Sequence, residues 1–144
     1  SLAWGDETKG RIAKHQLHRD TRIETCELDY QGKLLNSYLK QFNDTEHIIL
    51  IECLSTWVGW YLSQDKPLKQ CLNDYEKVKA ELLELLVTHN AQIIIVSGEV
   101  GCGLIGETPL MRSYADKLGE LNQQIATLCD HVTLVTAGIS QRLK

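Results

Sequence analysis

The chain lacks the features that mark membrane, disordered or nucleic-acid-binding proteins. Proline occurs only 2 times in 144 residues, which excludes a proline-rich chain, and a 43% hydrophobic fraction excludes a disordered one. The longest apolar runs, such as Ile48–Ile51 and Ala91–Val96, are far shorter than the roughly 20 residues of a membrane-spanning helix. The formal net charge is -4 and basic residues form no long run, so nucleic acid is not an expected partner.

The cysteines and the first residues indicate a reducing compartment. The 5 cysteines are widely spaced, form no CxxC pair and are odd in number, which argues against a disulfide framework or a zinc knuckle. The residues from Ser1 to Glu7 show no basic segment followed by an apolar one, so no secretory signal is expected here. We therefore expect a cytoplasmic protein with one globular domain over residues 1–144.

The order of apolar patterns predicts the fold class. Two continuous apolar runs, His47–Cys53 and Gln92–Ser97, are typical of parallel strands that are buried on both faces. Weaker strand patterns occupy Thr21–Cys26 and His131–Thr136. Helical patterns cover Asp6–His18, Gly32–Phe42, Ser55–Leu62, Asp74–Asn90 and Pro109–Cys129. This alternation predicts an α/β domain with a mainly parallel sheet flanked by helices.

The two longest helical patterns also predict which side chains face the core. Between Asp74 and Asn90 the apolar stripe is Val78, Leu82, Leu85 and Leu86, and charged residues, Lys79 among them, lie largely elsewhere. In the last helix the apolar side chains recur at helical spacing: Leu110, Tyr114, Leu118, Leu121, Ile125 and Leu128. Both helices are thus predicted to pack one face against the sheet or each other.

Two segments follow the buried strands, where ligands bind in α/β sheets. Glu52 ends the first strand, and it could hold a hydrated Mg²⁺ beside a nucleotide phosphate or instead cap the following helix; both interpretations stay open. Ser97–Gly103 is a glycine-rich loop that suits either phosphate binding or a tight turn. It is not a Walker A loop, because Gly-Lys-Ser and Gly-Lys-Thr occur nowhere in the 144 residues.

A third segment, Arg11–Arg19, clusters basic side chains with two histidines, His15 and His18. The cluster suits an anion site with an imidazole nucleophile, but a solvated basic helix face is the commoner meaning of such a pattern. No Cys, Asp or Glu stands near enough in sequence to complete a zinc site. The other histidines, at the ends of predicted elements, are predicted to be structural: His47, His89 and His131.

Four segments in a fixed order carry motifs that span nearly the whole chain. The first contains Asp6, Glu7, Arg11, Ile12, His15, Arg19, Thr25 and Glu27, and the next two are Leu50–Trp57 and Val96–Gly103. The last contains Arg112, Tyr114, Asp116, Gly119, Asn122 and Gln123, followed by Val135–Ile139. Together they resemble the bifunctional adenosylcobinamide kinase / adenosylcobinamide-phosphate guanylyltransferase family of cobalamin biosynthesis. The matching family motifs are DxEMxxRIxxHxxxRPxxWxTxE, (D/E)CLTxW, VxNEVGxGxVP, RxFRDxxGxxNQ and VxGI.

The resemblance implies a reaction and a set of site residues. His15 would attack the α-phosphate of GTP and become guanylylated, and GMP would then pass to adenosylcobinamide phosphate; the family also phosphorylates adenosylcobinamide. Glu52 would be the second catalytic residue and would hold Mg²⁺. The remaining nucleotide contacts, to GTP or alternatively ATP, would come from Gln16, Leu17, His18, Arg19, Glu27 and Thr56. The partners would be nucleotides and corrinoids, with no nucleic acid and no membrane span.

The resemblance also implies a fold and an assembly. The family has a P-loop NTPase (RecA-like) fold, and this sequence contains no counterpart of its first strand, phosphate loop and helix, so we expect an N-terminally truncated member. Its relatives form trimers, so a homo-oligomer is expected. The alternative is a catalytically impaired family remnant that acts as a nucleotide-binding or interaction module.

Overall fold

The computed structural model describes residues 23–28, 34–103 and 105–144, and the chain divides between Lys33 and Leu34 into two units. In the first unit, the described stretch 23–28 is irregular and mostly exposed. The predicted strand over Thr21–Cys26 is therefore wrong for its described residues, because polar Glu24 and Thr25 interrupt any apolar face. The predicted helix over Asp6–His18 lies outside the described residues, and the single domain stays a prediction.

The second unit alternates helices and strands. Its elements are α1 (Leu35–Gln41), β1 (Ile48–Glu52), α2 (Leu54–Leu62), α3 (Leu68–Thr88), β2 (Gln92–Val96), α4 (Pro109–Leu128), β3 (Thr133–Thr136) and β4 (Ile139–Arg142). The predicted α/β class is confirmed, and α1, α2 and α4 lie within three residues of their predicted bounds. None of the helices in the described ranges is long and apolar enough to cross a membrane.

Strands β1 and β2 form a parallel pair, as predicted, with Ile48 opposite Gln92 and Glu52 opposite Val96. The prediction that both faces are buried is wrong. Ile51 is buried, but Ile48 and Leu50 on the opposite face are 68% and 50% exposed. In the part of the chain that the structure describes, only one face of the pair is covered, so every second side chain of the apolar run meets solvent.

The C-terminal strand is confirmed, and it belongs to a separate hairpin. β3 pairs antiparallel with β4, and two residues with positive φ, Ala137 at 53° and Gly138 at 77°, connect them. Such a turn matches the twist of the two strands. The polar segment that forms β4 carries no apolar alternation, which is why its pattern did not predict a strand.

The core of this unit lies between the helices, and α3 is central to it. α3 begins at Leu68, six residues before its predicted start, because the Pro67 carbonyl accepts hydrogen bonds from the backbone of Gln70 and Cys71. Its buried residues are Cys71, Tyr75, Lys79 and Leu82, so only Leu82 of the predicted stripe is fully buried. The Tyr75 ring meets Trp57 of α2 at 5.8 Å between ring centroids.

The burial of Lys79 contradicts the prediction that charged residues of this helix lie away from the packed face. The Lys79 side chain is only 7% exposed, and its Nζ lies 2.6 Å from Glu76 and 3.4 Å from Glu120 of α4. Lys117 of α4 pairs with the same two carboxylates. A buried ammonium group is tolerated where carboxylates pair with it, so the ion network between α3 and α4 explains the difference.

Candidate functional site

The candidate site lies where β1 and β2 end side by side. Glu52 and Val96, the last residues of the two strands, are directly paired in the sheet. The segments that follow, Cys53–Thr56 and Ser97–Gly103, therefore start next to each other at the carboxyl edge of the sheet. This edge is the usual ligand site of parallel α/β sheets. The structure thus brings together the two segments that the sequence analysis singled out separately.

The β1 end carries a carboxylate followed by the first turn of a helix. Glu52 is exposed, and Cys53, not Glu52, occupies the N-cap position of α2. The Cys53 thiol lies 3.3 Å from the Thr56 hydroxyl. Burial alone would raise the pKa of Cys53, but hydrogen bonds from Thr56 and Ser55 outweigh it, and the net pKa is lowered. Negative charge is therefore stabilised at this helix start.

A hydrogen-bond network fixes the segment after β2. The Ser97 hydroxyl donates to Asn122 Oδ1 at 2.6 Å, and Asn122 Nδ2 donates to the Gly98 carbonyl at 2.9 Å. The Gly98 backbone N–H donates to the Ser55 hydroxyl at 2.7 Å. Helices α2 and α4 therefore both hold the first residues of this loop. A Cβ at position 98 would approach Ser55 Oγ to 2.9 Å, so glycine is the residue that allows this close contact.

The far end of the loop is held by the start of α4. Thr108 caps the helix by accepting from the Met111 N–H at 3.1 Å, and Pro109 follows at the first helical position. Arg112 Nη1 donates to the carbonyls of Gly106 at 3.0 Å and Glu107 at 2.8 Å. A Cβ at position 106 would lie 2.5 Å from Met111 Cβ, so this position also requires glycine.

A cavity of about 430 Å³ opens between α2, α4 and the loop. Its wall is largely apolar and includes Leu62, Val100, Leu110, Met111 and Ala115. Glu99 and Tyr114 also line it. Burial raises the pKa of Tyr114, partly offset by a hydrogen bond with Ser55, so its phenol stays neutral at ordinary pH. No pattern in the sequence indicated this cavity, because its walls come from three separate segments.

The structure describes three of the predicted site residues. Glu52 and Thr56 lie together at the β1 end, four residues apart. Glu27 is exposed in the other unit. The other predicted residues lie outside the described residues: His15, Gln16, Leu17, His18 and Arg19. Their roles stay predictions.

The residues at the β1 end fit a magnesium ion that takes most of its ligands from substrate phosphates and water. Over the described ranges, no three His, Cys, Asp or Glu side chains come together as a metal cage. Mg²⁺ commonly binds through one or two carboxylates, with phosphates and water completing its shell. The Glu52 carboxylate, with the Thr56 hydroxyl four residues later in α2, would supply the protein part of such a shell if the ion binds here.

The three histidines predicted to be structural have structural partners. His47 pairs with Asp44 at 2.7 Å, and His131 Nδ1 accepts from Arg142 at 3.0 Å. His89 Nδ1 accepts from the Ala91 N–H at 3.1 Å, so its Nε2 carries the proton and donates to the Leu39 carbonyl at 2.8 Å. Each of these histidines therefore has a partner at or near the end of an element, which agrees with the predicted structural role.

Sequence reasoning assigned no role at this site to Ser55 or Asn122 and counted Tyr114 only in the apolar stripe of the last helix, although all three belong to this site. Tyr114 and Asn122 fell within one of the recognised motifs, and that was the only available signal. Their eight-residue separation places them about two helical turns apart on similar faces of α4. This spacing points to a shared site only once the contacts with Ser55, Ser97 and Gly98 are known.

Comparisons with known proteins agree with the motif pattern. A profile of the family described as "Cobinamide kinase / cobinamide phosphate guanyltransferase" matches residues 1–143. The bifunctional adenosylcobalamin biosynthesis protein CobP of Pseudomonas aeruginosa is 33% identical over 141 residues, covering 97% of this chain and 77% of the relative. The bifunctional adenosylcobalamin biosynthesis protein CobU of Escherichia coli is 29% identical over 149 residues, covering 96% and 80%. CobU of Salmonella typhimurium is 27% identical over 147 residues with the same shares.

Proposed function

The chain belongs to the cobinamide kinase / cobinamide phosphate guanyltransferase family, and from that premise we propose that it transfers GMP from GTP to adenosylcobinamide phosphate. The observation that carries the proposal is the pairing of the β1 and β2 ends, which sets the Glu52 carboxylate beside the loop that Asn122 and Ser55 hold. The phosphorylation of adenosylcobinamide, with ATP or GTP as donor, is proposed as the second activity of the same chain.

The transfer proceeds in two displacements. An imidazole nitrogen of His15 attacks the α-phosphorus of GTP; a P–N bond forms, the bond to the α–β bridging oxygen breaks, and pyrophosphate leaves. A phosphate oxygen of adenosylcobinamide phosphate then attacks the same phosphorus. The P–N bond breaks, a phosphoanhydride forms and the imidazole is regenerated. Covalent catalysis divides one difficult displacement into two easier ones.

The other proposed residues bind and orient the nucleotide. Glu52 holds Mg²⁺, which, when bound, offsets the charge that develops on the phosphate oxygens. Arg19 pairs with phosphate oxygens through its guanidinium group. Further contacts to the nucleotide come from Gln16, Leu17, His18, Glu27 and Thr56. Hydrogen bonds from Thr56 and Ser55 lower the pKa of Cys53 against the opposing effect of burial, and these donors at the start of α2 support the placing of a phosphate there.

The guanylylated intermediate gives a direct test. The protein is incubated with Mg²⁺ and GTP labelled at the α-phosphate, and we expect a labelled protein adduct that is labile in acid and stable in base. His15→Ala should abolish it. His131→Ala is the matched control, because His131 is a surface histidine bound to Arg142, and it should label like the parent protein.

The result separates the two functions that the sequence leaves open. An unlabelled parent protein that still binds GTP in titration calorimetry would indicate a nucleotide-binding remnant without transferase activity. An unlabelled protein that binds neither GTP nor ATP would indicate an interaction module. Label that survives His15→Ala would show that another residue is the nucleophile.

We also propose that the protein is a homo-oligomer, with a trimer as the expected form. The exposed apolar face of β1 and β2 supports this proposal, because such surfaces are commonly covered by a partner. Sedimentation velocity at micromolar concentration should give three times the chain mass of 16.3 kDa. A species that stays at one chain mass throughout would contradict it.

A further inference from the structure

The cavity between α2, α4 and the loop after β2 has a chemistry that differs from that of a phosphate site. Most of its wall consists of aliphatic side chains and the methionine at position 111. The polar groups at its rim include the Glu99 carboxylate and the Tyr114 phenol. Among the described residues that line it there is no Lys, Arg or His. A triphosphate would meet a carboxylate and no cation there, which disfavours it.

The same wall suits a neutral ligand with an apolar body and N–H donors. One Glu99 oxygen accepts from the backbone N–H of Gly101. Over the part of the chain that the structure describes, no hydrogen bond reaches its second oxygen, Oε2. A carboxylate in this state accepts hydrogen bonds from an amide or amino group, and such charge-assisted bonds are stronger than neutral ones. The aliphatic wall supplies the contact area.

The cavity also adjoins the proposed reaction site. Gly59, which lines the cavity, lies in α2 one helical turn after Thr56. Tyr114 lines the cavity and interacts electrostatically with Ser55, and the Ser55 hydroxyl accepts a hydrogen bond from the Gly98 N–H of the loop. A molecule in the cavity would therefore lie about one turn of helix from the side chains at the β1 end.

We propose that this cavity receives the acceptor substrate, with the methyl- and amide-bearing rim of the corrinoid against the aliphatic wall and its amide N–H groups bound by Glu99. The proposal rests on the proposed function. A guanine base also combines a flat body with N–H donors, but it would occupy only a small part of a 430 Å³ cavity. That volume lies in the range of sites for larger organic ligands.

Titration of the full chain with dicyanocobinamide, followed by its absorbance, tests the proposal. Ala115→Phe places an aromatic ring in the cavity and should weaken corrinoid binding by roughly 10-fold or more. Glu99→Gln retains an acceptor for the Gly101 N–H but removes the charge, and it should weaken binding by about 3- to 10-fold. The matched control is Ala80→Phe, the same change at an exposed position of α3, which should bind like the parent protein.

The same variants are titrated with GTP, and their guanylylation is measured without corrinoid. Weaker dicyanocobinamide binding in both cavity variants, with GTP binding retained, supports the proposal. Weaker GTP binding with unchanged corrinoid binding would overturn it and assign the cavity to the base. Unchanged binding of both would also overturn it. If the parent protein forms no adduct but the cavity variants lose corrinoid binding, the proposed transfer has failed and the cavity assignment stands.

Because Ala115→Phe could disturb the packing of α4, each variant is first compared with the parent protein by circular dichroism and thermal unfolding. Glu99 is exposed, so Glu99→Gln is expected to fold normally and keeps the test decisive on its own. Unchanged dicyanocobinamide binding in a folded Glu99→Gln variant would refute the role assigned to this carboxylate.

Discussion

Removal of the Asn122 side chain should loosen the loop after β2 and destabilise the protein. Asn122 makes two hydrogen bonds with opposite requirements: Oδ1 accepts from Ser97, and Nδ2 donates to the Gly98 carbonyl. Only an amide satisfies both at once. Asn122→Ala removes both bonds, and Asn122→Asp keeps the acceptor but places a carboxylate against the Gly98 carbonyl.

The expected size follows from these contacts. A hydrogen bond contributes about 1 kcal/mol net to stability, so the loss of two lowers the free energy of unfolding by about 2 kcal/mol. Asn122 is half-buried, so water can hydrogen-bond to the Gly98 carbonyl once the Asn122 side chain is removed. The free-energy cost of losing that bond therefore stays moderate. In a chain of this size, about 2 kcal/mol corresponds to a Tm lower by about 7 °C.

The measurement is urea unfolding followed by circular dichroism, with thermal unfolding in parallel. Gln123→Ala, an exposed neighbour on the same helix, is the control and should stay within about 0.5 kcal/mol of the parent protein. A double-mutant cycle of Asn122→Ala with Ser97→Ala should show a coupling of about 1 kcal/mol. Asn122→Asp should be at least as unstable as Asn122→Ala at neutral pH, and should improve on acidification as the new carboxyl protonates.

Two results would refute this reasoning. If Asn122→Ala is as stable as Gln123→Ala, the network is too weak to hold the loop. If the effects of Asn122→Ala and Ser97→Ala simply add, the coupling energy is zero. The hydrogen bond between these two side chains then contributes nothing to stability.

The remaining predictions concern the ion network, the Cys53 thiol, Gly106 and Glu52. Lys79→Met should lower stability by about 1–2 kcal/mol in urea unfolding, because it leaves Glu76 and Glu120 without their buried partner while both remain partly exposed; an unchanged midpoint would contradict this. Burial raises the pKa of Glu76, but its lysine partners outweigh that effect, so the net pKa is lowered. The hydrogen bond from Lys117 likewise lowers the pKa of Glu120. The stability that Glu76 and Glu120 contribute is present above their ordinary pKa of 4.5 and should be lost as pH falls below it. The loss of stability on acidification should be smaller in Lys79→Met. Cys53 should alkylate with iodoacetamide at lower pH than an ordinary thiol, and Thr56→Val should move that profile to higher pH, as read by peptide mass spectrometry; coincident profiles would show that Thr56 does not lower the pKa. Gly106→Ala should destabilise by more than about 1 kcal/mol because its Cβ would overlap Met111, whereas Gly103→Ala, whose nearest neighbour would be 3.5 Å away, serves as the milder control. Glu52→Gln should raise the Mg²⁺ concentration needed for guanylylation by about 10-fold, whereas an unchanged Mg²⁺ dependence would remove Glu52 from the metal site.

Local patterns predicted the elements of the fold well where apolar periodicity was strong. The runs around Ile49 and Ile93 predicted parallel strands, and Pro109 marked the start of α4. Patterns failed where tertiary partners decide the outcome. Lys79 is buried because carboxylates on two helices pair with it, and α3 starts early because the Pro67 carbonyl accepts its first hydrogen bonds.

The candidate site divides in the same way. Glu52 and Thr56 could be identified from one short segment, because a carboxylate at a strand end and a hydroxyl in the next helix are neighbours in sequence. The link from Ser55 through Gly98 to Asn122 joins residues that are 43 and 24 positions apart, and no sequence spacing encodes such a contact.

The sequence alone determined the α/β class, the family and the order of the elements from α1 to β3, because these depend on local periodicity and on motifs that survive in linear order. Only the tertiary structure decided which side chains meet: the asparagine that holds the loop, the buried lysine, the glycines at 98 and 106, and the cavity beside the β1 end. Packing and hydrogen bonding between distant segments create these features, so they exist only once the chain has folded.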